Sequence, residues 1–239
     1  MKTLKLIAVD IDGPLLADSF APLLKLSCEF YGLDYTKEME DNMFSRNRAE
    51  AVAYFRSQFK EVPEDLKGKS SKEMEQSYFD FRQNYLKENP IKLAEGAEAL
   101  MNLLSSLGVK LVCYGGLDEK YMRLELGASA DIFEQYICTN NFRPGVREIV
   151  EDYYQLPAHH VLFIDDVNFV ATHARRIGAC FIGVPASTDW GFQRQGMKNA
   201  GLPFICSSSG EIDLALLNHV DALAAENKFW EFTPHSTNN

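Results

Sequence analysis

Two pairs of aspartates follow apolar runs that lie far apart in the sequence. Asp10 and Asp12 close the first apolar run, and Asp165 and Asp166 close a later one. Carboxylates at the ends of buried strands are costly unless a cation meets them. Oxygen ligands without histidine or cysteine suit Mg²⁺, which takes one or two carboxylates, waters and a substrate phosphate. The two pairs therefore predict a shared site for a divalent metal ion.

A sheet of parallel strands would position these aspartates, because short apolar runs alternate with helical patterns through most of the chain. This alternation predicts an α/β fold, a doubly wound parallel sheet with helices on both faces. Strands are predicted at residues 4–9, 110–114, 136–139, 161–164, 180–184 and 203–206. Helices are predicted at residues 97–107, 146–154, 168–177 and 212–225. Ligands of such sheets lie beyond the carboxyl ends of the strands, where the aspartates can converge.

One stretch, residues 19–89, interrupts the alternation. It contains no convincing strand, and aromatic and charged residues recur in it at helical spacing. It is predicted to be an inserted helical domain. The core domain would then comprise residues 1–18 and 90–230, and residues 231–239 would form a flexible tail.

Composition limits the partners that we expect. The formal net charge is -10, from 34 acidic and 24 basic residues, and there is no local basic patch, which disfavours nucleic acids and anionic membranes. No run approaches the roughly 18 apolar residues of a membrane span. The five cysteines are dispersed, which indicates reduced thiols in a cytoplasmic protein. A monomer and a homodimer both stay open.

Four motifs occur in order along the chain. They are Val9-Asp10-Ile11-Asp12-Gly13, the strand ending at Tyr114, Arg143-Pro144, and Phe163-Ile164-Asp165-Asp166 ahead of a helix. Together they resemble the motifs of the haloacid dehalogenase-like (HAD) hydrolase superfamily. The inserted helical stretch is similar to the cap of its phosphoglycolate phosphatase and β-phosphoglucomutase branch. The resemblance covers nearly the whole chain and implies a Rossmann-like HAD core with a helical cap.

This resemblance implies a Mg²⁺-dependent phosphohydrolase that acts on a small phosphate monoester, a small phosphorylated metabolite, through an aspartyl-phosphate. Asp10 would be the nucleophile, and Asp12 would protonate the leaving group and then activate water. Asp166, with Asp10 and the backbone carbonyl of Asp12, would hold Mg²⁺. Asp165 would support the metal directly or through water.

Two positions that contact phosphate in this family are altered. The second motif normally ends in Ser or Thr, whereas here Tyr114 is followed by Gly115 and Gly116, whose N–H groups could still bind an anion. The third motif normally supplies Lys, and here Arg143 keeps the positive charge. Loss of one positioned donor can cost about 10²–10³ in rate, so reduced activity is expected.

The cap is expected to determine substrate specificity. Its Ser45-Arg46 pair resembles the substrate loop of the sugar-phosphate mutase branch. Arg46 and Arg48 would meet a second anionic group, although arginines in such positions are more often solvated helix charges. Three alternatives stay open. They are a catalytically weak or silent HAD-fold protein with a binding or regulatory role, a phosphomutase, and a phosphonatase-like enzyme. The absence of lysine from residues 42–54 counts against the phosphonatase-like enzyme.

Overall fold

Five parallel strands form the sheet, and the first strand of the chain lies at its centre. The structure, a computed structural model, describes residues 1–233. The strands are β1 (Leu6–Asp10), β2 (Lys110–Gly115), β3 (Gln135–Cys138), β4 (Val161–Asp165) and β5 (Cys180–Gly183). Their order in the sheet is β3-β2-β1-β4-β5, so the chain reverses its winding direction between β1 and β4. Open α/β sheets bind ligands at such a switch point.

Ten helices are found among the described residues. They are α1 (Phe20–Phe30), α2 (Lys37–Ser45), α3 (Arg48–Ser57), α4 (Ser71–Glu88), α5 (Ala97–Ser106), α6 (Glu119–Leu126), α7 (Val146–Glu148), α8 (Asn168–Ile177), α9 (Gln193–Asn199) and α10 (Leu214–Ala225). Every residue of β1 and β4 is buried, because helices cover both faces of the sheet. No helix within residues 1–233 is long and apolar enough to cross a membrane.

Helices α1 to α4 form the inserted cap between β1 and α5. Side-chain caps mark the start of two of these helices. At α4, the side chains of Ser70 and Glu73 form a capping box. At α2, the Thr36 hydroxyl accepts a hydrogen bond from the Met39 N–H. Glu40 holds the cap to the core. Its side chain is buried, at 1% exposed, and accepts hydrogen bonds from the Phe192 N–H at 3.0 Å and from other donor groups nearby. A buried carboxylate without such partners would be costly.

Several details of the prediction from the sequence were wrong. The sixth strand, at residues 203–206, is only an isolated bridge between Gly183 and Ile205. Pro203 has no N–H to donate and β5 ends at Gly183, so the ladder cannot continue. Helices α6 and α9 were not predicted. The predicted helix at residues 146–154 is α-helical only at Val146–Glu148 and continues as a π-helix.

The structure describes the first three residues, 231–233, of the predicted flexible tail at residues 231–239. The Phe232 ring stacks on the Phe204 ring, with the ring centroids 5.3 Å apart. Residues 234–239 of that predicted tail lie outside the described residues.

A single carboxylate holds the start of the chain against α10. Asp221 accepts hydrogen bonds from the backbone N–H groups of Lys2 at 2.9 Å, Thr3 at 3.0 Å and Leu4 at 2.8 Å. Burial alone would raise the pKa of Asp221, but the three backbone bonds outweigh it and the pKa lies below its ordinary value. Asp221 therefore fixes the segment that leads into the central strand β1.

Replacing Asp221 by Ala is expected to lower the free energy of unfolding near neutral pH by about 2 kcal/mol, because three N–H groups lose a charged acceptor. Folding lowers the pKa of Asp221, so its contribution is complete at neutral pH and is lost as the pH falls below the ordinary Asp range. Urea unfolding of both proteins at neutral and acidic pH measures this difference. The control is Asp131→Ala, whose side chain is 81% exposed. Equal stability of the Asp221 variant and the original protein at neutral pH would contradict the expectation.

Candidate active site

The two acidic pairs meet at one edge of the sheet. Val9 of β1 is paired with Ile164 of β4, so Asp10 and Asp165 take the next positions on neighbouring strands, which lie about 4.8 Å apart. This is the switch point of the sheet. The pairs are separated by more than 150 residues in sequence, and the strand order alone brings them together.

Asp166 reaches over the loop that follows β1. Gly13 in this loop has a φ of +94°, and a Cβ atom built there would lie 2.6 Å from Asp166 Cγ. Glycine is therefore required both for the backbone conformation and for the close approach. The Asp12 N–H donates to Asp10 Oδ2 at 3.1 Å, which folds the loop back over β1. The carboxylates of Asp10 and Asp166 and this loop consequently occupy one small volume.

This cluster has too little positive charge. Burial, followed by repulsion from Asp165, raises the pKa values of Asp10 and Asp166 well above the ordinary value. Burial also raises the pKa of Asp12 to about 6 and that of Asp165 to about 6. Arg143 acts in the opposite direction on three of the four acids without outweighing burial. A site of this kind favours an additional cation.

Asp165 already has partners for both of its oxygens. The Tyr114 hydroxyl donates to Oδ2, and the Val167 N–H donates to Oδ1 at 2.7 Å. Asp165 is 1% exposed, whereas Asp12 and Asp166 are half-buried and face the cavity below the cap. Asp165 is thus placed to hold its neighbours in position. The contact of Tyr114, which directly precedes the altered position Gly115 of the second motif, was not foreseen.

Asp12 has a second partner that the sequence did not reveal. The Tyr121 hydroxyl donates to Asp12 Oδ1 at 2.9 Å, and Arg82 Nη2 of the cap donates to Tyr121 Oη at 3.0 Å. Arg82 is 3% exposed, and its Nη2 also donates to Ser19 Oγ at 3.1 Å. A buried cation of the cap therefore contacts Asp12 through a tyrosine of the core. The only feature of the sequence that could have indicated this contact is an arginine among aromatic residues of a predicted helix.

Arg143 bridges the core and the cap. Its Nη2 donates to the backbone carbonyl of Phe44 at 2.9 Å, and its Nη1 donates to Thr139 Oγ1 at 3.3 Å. A Cβ atom at Gly116 would lie 3.7 Å from Arg143 Nη1, so the guanidinium lies beside that glycine. Arg143 and Gly116 thus share the cavity with the carboxylates.

Gly115 is packed on both sides and has no room for a side chain. A Cβ atom there would lie 2.8 Å from Ile11 Cγ2 and 2.8 Å from Tyr136 Oη. Tyr136 Oη in turn donates to the carbonyl of Leu117 at 2.9 Å. Where the second motif normally has a hydroxyl side chain, this chain therefore has a glycine whose neighbours leave no space for one.

The three cap residues predicted from the sequence lie near the cavity but already have partners. The Ser45 hydroxyl donates to a carbonyl of its own helix. Arg46 donates twice to Asn42 Oδ1, at 2.8 and 2.6 Å. Arg48 pairs with Glu75 at 3.1 Å, and both arginines line the cavity wall. Their contact with a second anionic group of a substrate stays a prediction.

A cavity of about 470 Å³ separates the cap from the sheet edge. Its core end is formed by Asp10, Asp12, Asp166, Gly116 and Arg143. Within residues 1–233 no group of three or more Asp, Glu, His or Cys side chains is arranged so that it could hold a metal ion by itself. Mg²⁺ suits such a site, since it typically uses one or two carboxylates, waters and substrate oxygens.

Comparison with known proteins was made with the sequence and with the structure. The sequence matches no protein-family model, and no curated protein matches it. A predicted phosphoglycolate phosphatase from Haemophilus somnus is 18% identical, with a TM-score of 0.62 over 88% of this chain and 97% of that chain. CbbY from Rhodobacter sphaeroides, solved with phosphate, is 18% identical, with a TM-score of 0.65 over 90% of this chain and 99% of that chain.

A third similar structure is β-phosphoglucomutase from Clostridium difficile, which is 14% identical, with a TM-score of 0.67 over 93% of this chain and 99% of that chain. These likenesses extend over the sheet and the helical insertion together. The predicted doubly wound sheet with an inserted helical cap is confirmed. The chain has the fold of the haloacid dehalogenase-like hydrolases.

Proposed function

We propose that this protein is a Mg²⁺-dependent phosphohydrolase that cleaves a phosphate monoester through an aspartyl-phosphate. The convergence of Asp10, Asp12 and Asp166 with Arg143 at the switch point of the sheet, beneath the cap, is the observation that carries this proposal. The names of the similar structures, a predicted phosphatase, a phosphate-bound protein and a phosphomutase, support phosphoryl chemistry in this fold.

In the first step, an oxygen of Asp10 attacks phosphorus and the bond from phosphorus to the ester oxygen breaks. Asp12 gives its proton to the leaving oxygen, so the alcohol departs neutral. In the second step, Asp12 takes a proton from water, which attacks phosphorus and releases inorganic phosphate from Asp10. Arg143 binds the phosphoryl oxygens in both steps, because its guanidinium lies beside the carboxylates.

The residues present fit a magnesium ion. Asp10 and Asp166 would bind it together with the backbone carbonyl of Asp12, and Asp165 would orient them from behind, because its own oxygens are occupied. The bound ion supplies positive charge that offsets repulsion between the carboxylate nucleophile and the phosphate. The raised pKa values of Asp10 and Asp166 mark the charge that the ion would balance.

A catalytically weak or silent binding protein is the second candidate. The packing around Gly115 favours it, since a hydroxyl side chain at that position has no room. The carboxylates argue against it, because a scaffold gains nothing from several buried acids that raise each other's pKa. The five free cysteines support a reducing compartment, and we place the protein in the cytoplasm on that basis.

Replacing Asp10 by Asn is expected to slow Mg²⁺-dependent hydrolysis of p-nitrophenyl phosphate by at least about 10³-fold, because the nucleophile is lost. In EDTA, the melting temperature of the variant should equal or exceed that of the original protein, since one of several repelling carboxylates is gone. Added Mg²⁺ should raise the melting temperature of the original protein and not that of the variant.

The matched control is Asp131→Asn, an exposed aspartate that should change neither property. Hydrolysis that persists after Asp10→Asn or in EDTA would exclude this mechanism. A folded original protein that hydrolyses no phosphate ester would support the silent candidate.

Replacing Tyr121 by Phe removes the hydroxyl that holds Asp12 and leaves the ring. The kcat/KM for benzyl phosphate, whose alkoxide must be protonated as it leaves, is expected to fall about tenfold. The kcat/KM for p-nitrophenyl phosphate should change less than about threefold, because nitrophenolate leaves without a proton and kcat/KM does not include the later attack of water. The control is Tyr153→Phe, an exposed tyrosine. Equal losses for both esters would mean that Tyr121 has only a structural role.

A further inference from the structure

The cap directs much of its apolar surface into the cavity. Its own buried cluster of apolar side chains is small and consists of Leu24, Cys28 and Met39, with partly buried neighbours that include Phe44 and Phe55. Large apolar side chains of the cap line the cavity, among them Phe20, Phe44, Val52, Phe55, Leu66 and Phe79. A largely apolar surface of this extent, continuous with a chemical site, is typical of a ligand-binding surface.

Most of the polar side chains in the cap wall already have partners. Arg46 is held by Asn42, Arg48 is paired with Glu75, and the Tyr31 hydroxyl donates to a cap carboxylate at 2.8 Å. Within residues 1–233 the buried Nε of Arg48 has no hydrogen-bond partner, so it offers one donor to a ligand. A sugar or a second phosphate entering the cap end would have to displace the other bonds or lose much of its own hydration. Leaving hydroxyl groups unpaired in such surroundings is costly.

The cavity is large enough for a ring system beside a phosphate. Its volume is about 470 Å³. A dry cavity of about 150 Å³ accepts benzene, and ligand cavities generally span roughly 300–1,000 Å³. The cavity is continuous from the carboxylates at the sheet edge to the aromatic cap wall. A phosphate held by Arg143 therefore places its ester group against apolar side chains.

We propose that the substrate is the phosphate monoester of a bulky aromatic alcohol, with the ring system bound by the cap and the phosphate bound by the core. This inference rests on the proposed phosphohydrolase function. Aromatic walls favour a ring by offset and edge contacts as well as by burial. Hydrolysis consumes one water and releases the aromatic alcohol and inorganic phosphate. The substrate is then larger and less polar than the small metabolite that the sequence led us to expect.

Three esters with similar primary alkoxide leaving groups provide the test: 2-naphthylmethyl phosphate, ethyl phosphate and glucose 6-phosphate. Because the leaving groups are matched, differences in kcat/KM report the surroundings of the alcohol. We expect kcat/KM for 2-naphthylmethyl phosphate to exceed both others by at least about 100-fold, from the burial of its ring system.

Ala51→Leu tests whether the cap wall causes this preference. Ala51 is 7% exposed and lines the cavity from α3, so a leucine there fills the apolar end. The ratio of kcat/KM between 2-naphthylmethyl phosphate and ethyl phosphate is expected to fall about tenfold. Ala53→Leu, on the exposed side of the same helix, should leave the ratio unchanged. Binding of 2-naphthylmethanol, which carries no phosphate, provides a measurement that does not depend on turnover, and melting curves verify folding of each variant.

The outcomes separate the two proposals. If ethyl phosphate or glucose 6-phosphate is hydrolysed as efficiently as 2-naphthylmethyl phosphate, the aromatic substrate class is overturned and the phosphohydrolase stands. If no ester is hydrolysed, the proposed function is overturned. In that case, binding of 2-naphthylmethanol to the original protein and not to Ala51→Leu supports the apolar site, and equal or absent binding overturns it.

Discussion

The site depends on the mutual proximity of carboxylates that are buried with too little positive charge. Asp10 and Asp166 come together because β1 and β4 are neighbours and because Gly13 lets the loop pass under Asp166. Each acid raises the free energy of ionising the others, and burial adds to this cost. Such an arrangement favours a bound cation, so the strand order of the sheet creates the electrostatic condition on which the proposed metal-assisted chemistry rests.

The cap completes the site from the opposite side. The backbone carbonyl of Phe44 accepts a hydrogen bond from Arg143, and buried Arg82 acts through Tyr121 on Asp12. Both contacts join the cap to the core, so a shift of the cap would alter the surroundings of Arg143 and of Asp12. The cap surface that faces the cavity is largely apolar.

The altered motifs become intelligible as changes in packing. Tyr114, which directly precedes the position where the related pattern has a small hydroxyl residue, lies beneath the carboxylates and donates to Asp165. Gly115 then has to be small, because Ile11 and Tyr136 occupy the volume of a side chain there. The positive charge of the third motif is retained by Arg143, which also reaches the cap. The residues that occupy positions 114 and 115 of the second motif are therefore linked through their packing.

The sequence by itself determined the elements whose signals are local. Buried parallel strands require continuous apolar runs, so β1 and β4 with their terminal acids and the helical insertion were all visible in it. Helix α9 was missed because its residues are mostly polar and show no apolar repeat. Only the tertiary structure decided which side chains meet. The contacts Tyr121–Asp12 and Arg82–Tyr121 join residues 109 and 39 positions apart, and the side-chain directions that create them follow from packing between cap and core, which no local pattern encodes.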